Sequence, residues 1–122
     1  MAVPKIAING FAMRVPVPDG SIVDLTVELE RAATVEELNN TVRQSAEGEL
    51  RGILEYEENP VVSSDIVGNS HSSIFDSQLT QIIDGTFAKV VAWYDNEWGY
   101  SSRVEDLIVR LAAIDGMQPD FG

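Results

Sequence analysis

The sequence predicts an α+β fold, a mixed and mostly antiparallel sheet with helices packed on one face. Three observations lead there. Residues 22–30 alternate, with Val23, Leu25, Val27 and Leu29 on one side and Asp24, Thr26, Glu28 and Glu30 on the other, the pattern of a strand with one wet face. Residues 87–94 form a nearly unbroken apolar run, suited to a strand buried inside the sheet. Two stretches carry helical periodicity, through Val35, Leu38, Val42 and Ala46 and through Val104, Leu107, Ile108 and Leu111.

At the start of the chain, residues 5–8 read as a short strand followed by Asn9-Gly10. Asn-Gly between apolar runs is a strong hairpin signal and would pair residues 5–8 with 11–15. The same stretch also fits the opening of a dinucleotide-binding βαβ unit. That fingerprint needs three glycines where the backbone approaches the pyrophosphate. Gly10 is present, but Ala12 and Val15 stand at the later glycine positions, and Pro16 and Pro18 forbid a following helix. No phosphate cradle is expected. Residues 12–17 should be extended, with a turn at Asp19-Gly20 and a strand over 21–30.

Thr34 with Glu37 makes a capping box that opens a helix over 34–47, closed by Gly48. Asn39 and Asn40 are weak helix formers in its middle, so this helix depends on tertiary packing. Strands are predicted near 52–57, 61–67 and 73–83. Glu55, Glu57 and Glu58 crowd together, but without His or Asp at ligand spacing they read as a solvated loop, and no metal site is expected. His71 lies among Ser70, Ser72 and Ser73. No Gly-x-Ser-x-Gly elbow surrounds these serines, and neighbouring residues do not easily form a relay, so a hydrolase is rejected. Asp84-Gly85 is a second hairpin signal, leading into a strand over 86–95 and a helix over 97–113 with Arg103 and Arg110 outward.

With 122 residues and 44% apolar content, the chain suits one globular domain. No apolar run approaches the ~20 residues that span a bilayer, and residues 1–9 lack the basic start and apolar stretch of a secretory signal. A cytoplasmic location is expected. Twenty acidic against eight basic residues give a net charge of −12, a field that repels nucleic acid and anionic lipid. The absence of cysteine excludes disulfides, thiolate metal sites and a cysteine nucleophile.

The densest cluster of chemistry is Trp93-Tyr94-Asp95-Asn96-Glu97-Trp98-Gly99-Tyr100-Ser101, which holds both tryptophans and two of the three tyrosines. Asp95 or Asn96 can cap the helix that follows, and Glu97 suits the dipole of its first turn. Polar groups at the carboxyl end of a strand are a usual place for small ligands. A corner whose aromatics merely pack is the alternative.

These nine residues resemble the phosphorylating glyceraldehyde-3-phosphate dehydrogenases. So do Arg14-Val15-Pro16-Val17-Pro18, Val23-Asp24-Leu25-Thr26-Val27, Ala46-Glu47-Gly48-Glu49-Leu50-Arg51-Gly52-Ile53-Leu54, Ser63-Ser64-Asp65 and Ser70-His71-Ser72-Ser73-Ile74-Phe75-Asp76. The segments follow the family's order and spacing from Ala12 onward. The resemblance implies that residues 12–122 are the C-terminal part of the catalytic domain. Residues 1–11 resemble the first strand of the family's NAD-binding Rossmann domain, as if a large internal deletion met between Phe11 and Ala12. It further implies that Arg14 binds substrate or inorganic phosphate, that Asn96 holds the nicotinamide carboxamide and that Tyr100 lies beside that ring. Gly10 matches the first glycine of the cofactor turn, and His71 is not the family's catalytic base. The family oxidises and phosphorylates glyceraldehyde 3-phosphate with NAD or NADP, through a cysteine nucleophile and a histidine base that this chain lacks. The chain is therefore expected to have no catalytic residue, to be inactive alone and to bind NAD weakly or not at all. The alternatives are a non-enzymatic module that associates with itself or with full-length subunits, and a fragment without function.

Overall fold

The computed structural model describes residues 8–116, and within them the chain forms an α+β fold around one five-stranded mixed sheet. The elements in order are β1 (Ser21–Glu28), α1 (Val35–Glu47), β2 (Leu54–Glu57), the short α2 (Ser63–Ile66), β3 (Ser73–Asp76), a 3₁₀ turn (Ser77–Leu79), β4 (Gln81–Ile83), β5 (Phe87–Tyr94) and α3 (Trp98–Ile114). The strands run β1-β5-β3-β2, with β4 also on β5. Every pairing is antiparallel except β2 with β3. The apolar run of residues 87–94 sits centrally, as its composition requires. Ala88 and Val91 of β5 join Ile74 and Phe75 of β3 and Ile66 of α2 in a small buried core.

The capping box at the head of α1 is present, with Glu37 N–H donating to Thr34 Oγ1 at 3.1 Å and Thr34 N–H to Glu37 Oε2 at 2.8 Å. Arg43 places its guanidinium 4.6 Å from the centre of the Tyr56 ring, and Tyr56 stacks on Phe75 at 5.8 Å. These contacts set α1 over the β2–β3 half of one sheet face. Asn39, unfavourable in an isolated helix, works across that interface. Its Nδ2 donates to Ser77 O at 3.0 Å, and its Oδ1 accepts from Thr80 Oγ1 at 2.7 Å.

That contact accounts for one departure from expectation. The strand foreseen over 73–83 is broken at residues 77–79, where Asn39 and the bond from Ser77 Oγ to Glu57 O at 2.7 Å hold a turn. The strand foreseen over 61–67 is instead the short helix α2. Asp65 turns its carboxylate back onto Val62 N–H at 2.8 Å, and Asp65 N–H donates to Val62 O at 3.0 Å, the local bonding that Ser and Asp prefer to a ladder. No strand forms over 12–17 either. Pro16 and Pro18 remove ladder donors, and the segment stays exposed and unpaired.

The two hairpin signals also part company. At Asp84-Gly85 both residues have positive φ, 51° and 79°, and β4 turns back onto β5. Gly10 lacks a positive φ and residues 11–15 have no strand partner, so the Asn9-Gly10 hairpin is not formed on that side. Residues 5–7, its other arm, lie outside the described residues.

Candidate functional site

The corner between β5 and α3 is organised by Asp95, which is completely buried. Its Oδ1 accepts from Glu97 N–H at 2.8 Å and Trp98 N–H at 2.9 Å, and its Oδ2 from Gly68 N–H at 2.9 Å. One carboxylate thus caps α3 and ties it to the end of α2. Burial alone would favour the neutral acid. The N–H groups of Trp98, Gly68 and Glu97, with a hydrogen bond from the Asp19 carboxyl, outweigh it and hold the Asp95 pKa at about 2. The same hydrogen bond raises the Asp19 pKa, against the lowering effect of Gly20 N–H.

The first turn of α3 presses closely on the loop before β3. A Cβ on Gly99 would lie 2.8 Å from His71 O, so only glycine permits this approach. Arg103 reaches back from the next turn, donating to Ser72 Oγ at 3.3 Å and Gly52 O at 3.2 Å while its Nε donates to Asp106 at 2.8 Å. It was expected to point outward, and it serves instead as a clamp. Periodicity places a residue on a helix but does not show a loop arriving from elsewhere.

Above this floor lies an open cleft of about 300 Å³, bounded by Ser72, Tyr94, Asn96, Gly99, Tyr100 and Arg103. Asn96 is exposed, and among the described residues its Oδ1 accepts a single long bond, 3.4 Å from Ser21 Oγ. Tyr100 stands 74% exposed on the rim. The structure therefore brings Asn96 and Tyr100 to one opening. Arg14 and Gly10 do not line it. Arg14 is exposed on the unpaired N-terminal segment, and a Cβ on Gly10 would meet nothing within 4 Å. The two tryptophans separate as well. Trp93 donates through Nε1 to Asp76 at 3.1 Å, whereas Trp98 is more than half exposed.

His71 faces the outer edge of β2. Its Nδ1 lies 2.9 Å from both Asn69 Oδ1 and Glu55 Oε2, and Asn69 Nδ2 donates to Glu55 Oε2 at 2.7 Å. Glu57 accepts from Asn59, whose backbone N–H lowers its pKa most, and Glu58 pairs with Arg43. Each of the three crowded glutamates thus has its own partner. Among the described residues no three His, Cys, Asp or Glu side chains converge as metal ligands.

A mixed α+β sheet with a strand-to-helix cleft defines the class of domain, and sequence comparison gives it a family. The profile of "Glyceraldehyde 3-phosphate dehydrogenase, C-terminal domain" matches residues 1–96. Glyceraldehyde-3-phosphate dehydrogenase of Mycobacterium avium is 58% identical over 107 residues, covering 88% of this chain and 31% of the relative. The Pinus sylvestris protein named "Glyceraldehyde-3-phosphate dehydrogenase, cytosolic" is 56% identical over 106 residues, 87% of this chain and 31% of its own length. The chain belongs to the glyceraldehyde-3-phosphate dehydrogenase family, through its C-terminal domain. It spans about a third of the curated relatives it matches. No described helix is long and apolar enough to cross a membrane.

Proposed function

We propose that this chain carries one edge of a dehydrogenase site, the part that meets the nicotinamide end of NAD or NADP, and does not by itself oxidise glyceraldehyde 3-phosphate. The observation that carries the reading is the chemistry of its 122 residues. There is no cysteine, and the single histidine is engaged by Glu55 and Asn69 at the edge of β2, away from the Asn96–Tyr100 cleft. Oxidising an aldehyde to an acyl phosphate through a covalent intermediate requires a nucleophile and a base that accepts its proton. Neither is supplied beside Asn96.

The cleft fits the cofactor only in part. The exposed Asn96 amide has donors and an acceptor suited to a carboxamide, and Tyr100 offers a ring face. A dinucleotide also needs a cradle for its pyrophosphate, commonly a helix N-terminus. At α3 the N–H groups of Glu97 and Trp98 are already held by the Asp95 carboxylate, whose charge opposes a phosphate at that point. At α1 the capping box engages the N–H groups of Thr34 and Glu37, and the Glu37 carboxylate opposes a phosphate there. Among the described residues nothing makes a close approach to Gly10. Arg14 can contact glyceraldehyde 3-phosphate or inorganic phosphate, but an exposed ion pair contributes ~0–1 kcal/mol after screening, and the net charge of −12 opposes anions.

Under this reading residues 1–11 correspond to the first strand of an NAD-binding domain and residues 12–122 to the C-terminal part of the catalytic domain, and the protein works in the cytoplasm. The test is a dehydrogenase assay on the pure chain with glyceraldehyde 3-phosphate, NAD and phosphate. No NADH absorbance should appear. Turnover by the cysteine-free chain would overturn the proposal.

A second reading, a module that associates with itself or with full-length subunits, is favoured by one observation. Ile22, Val23 and Leu25 at a sheet edge and Leu107, Ile108 and Leu111 on α3 are each about half exposed. Size-exclusion chromatography of the chain alone and mixed with a full-length relative tests it. A larger species or co-elution supports association, and two independent monomer-sized and full-length peaks argue against it.

A further inference from the structure

We propose that the outer edge of β1 pairs with β1 of a second copy of this chain, antiparallel and with the two-fold axis at Leu25. The two five-stranded sheets would then become one of ten strands. This rests on the association reading and gives it a surface and a register.

Among the described residues β1 pairs on one side only, with β5, and ends the sheet. It is eight residues long and contains no proline, glycine or bulge of the kind that usually protects an edge. Leu29 N–H donates to Thr86 O at 2.8 Å, which sets the phase of the ladder. By the alternation of an antiparallel pair, residues 23, 25 and 27 point their N–H and C=O toward β5, and Ile22, Asp24, Thr26 and Glu28 point theirs outward. Among the described residues, eight backbone groups, two from each of these four, thus lack a partner strand.

Only one self-pairing satisfies both these groups and the side chains. Outward groups must face outward groups, so opposed residues must both be even-numbered or both odd-numbered. An axis at Asp24 sets Asp24 against Asp24. An axis at Thr26 sets Asp24 against Glu28 twice, and like charges directly opposite are destabilising. An axis at Leu25 sets Asp24 against Thr26 and Ile22 against Glu28, with no like-charge pair. It also sets Leu25 on Leu25 and Val23 on Val27. Val23, Leu25 and Val27 already share a face with Ala92, Val90 and Ala88 through the β5 register, so the apolar stripe continues across the junction. Val23 is 47% exposed and Leu25 49% exposed, and pairing would bury both.

The charge of the chain does not forbid this. Lys89 Nζ lies 2.8 Å from Asp24 Oδ2, so the carboxylate nearest the axis is compensated within its own copy. The remaining repulsion acts at long range and is screened by salt. Two-fold pairing uses up the β1 edge, so the assembly closes at two copies through this surface.

The chain has no cysteine, which makes cross-linking clean. Leu25→Cys should form a disulfide-linked homodimer on mild oxidation, because opposed residues in a non-hydrogen-bonded pair bring their Cβ atoms to about 4.5–5.5 Å. Val23→Cys should not, since it sits four residues out of register with its copy, about 14 Å along the strand. In the unmodified chain, hydrogen exchange should slow at Ile22, Asp24, Thr26 and Glu28 as concentration rises. Thr26→Pro removes one outward N–H per copy without touching the β5 ladder. It should weaken the dimer at least about tenfold while leaving circular dichroism unchanged. A monomer at all concentrations and salt levels would overturn this pairing and the self-association reading together. A dimer in which Leu25→Cys fails to cross-link, or in which those four amides stay unprotected, would overturn the edge pairing alone.

Discussion

The two ends of α3 are built differently although they belong to one helix. Its first turn is held at every side, by the buried Asp95 carboxylate beneath it, by Gly99 against His71 O and by Arg103 reaching to Ser72 and Gly52. From Val104 onward the same helix carries Leu107, Ile108, Leu111 and Ile114, all more than half exposed. An apolar stripe shows that a helix is amphipathic, but it does not say what covers the stripe. Local polar geometry, not apolar area, holds this end of the molecule together. It also positions Asn96 and Tyr100.

If that contrast is right, the largest loss comes from Asp95→Ala. Three part-buried backbone donors would lose their shared, fully buried acceptor, at about 2–4 kcal/mol, measurable by urea unfolding. Gly99→Ala should follow at about 1–3 kcal/mol. Its Cβ meets backbone rather than a movable side chain, and overpacking of that kind exceeds the gain of about 1 kcal/mol from helix propensity. Arg103→Ala should cost about 1 kcal/mol. Ile108→Ala should cost less than about 1 kcal/mol, since so much of its surface is already in water. A larger loss at Ile108 than at Gly99 would break the comparison.

Acid sharpens the same contrast. The folded Asp95 pKa of about 2 lies below its ordinary value of 3.8, so the unfolded chain binds that proton more tightly. Its stabilisation is complete above the ordinary value and is lost as pH falls through about 2. Asp19 has the opposite sign. Its raised pKa gives a contribution present at low pH and lost as pH rises through the raised value. Relative to the parent, Asp95→Asn should therefore gain stability as pH falls below 3.8, and Asp19→Asn should gain it as pH rises above 3.8. Profiles that superimpose on the parent would remove Asp95 from its central place.

Much of the architecture was legible because local and tertiary preferences agree. The alternation of residues 22–30, the capping box at Thr34 and Glu37 and the apolar run of 87–94 each specify one element, and each appears within one or two residues of its expected limits. Legibility failed where side chains compete with the backbone ladder. Asp65 made a helix of an expected strand, and Asn39 broke another from 38 residues away. Of the corner, a cap at Asp95 or Asn96 was readable from their place before a helix, and the structure gives that role to Asp95. Its burial, its link to Gly68 and the clamp at Arg103 all depend on loops that come together only in three dimensions. Asn96 and Tyr100 came from resemblance, and the fold adds that they share an opening that Arg14 and Gly10 do not reach.

The central claim is that a well-held corner keeps the nicotinamide edge of a site without the rest of the cofactor's support. Calorimetric titration of the pure chain with NAD tests it most directly. No saturable heat should be seen up to millimolar concentration, for the parent and for Asn96→Ala alike. Micromolar binding by the parent that disappears in Asn96→Ala would show a working cofactor pocket and contradict the claim.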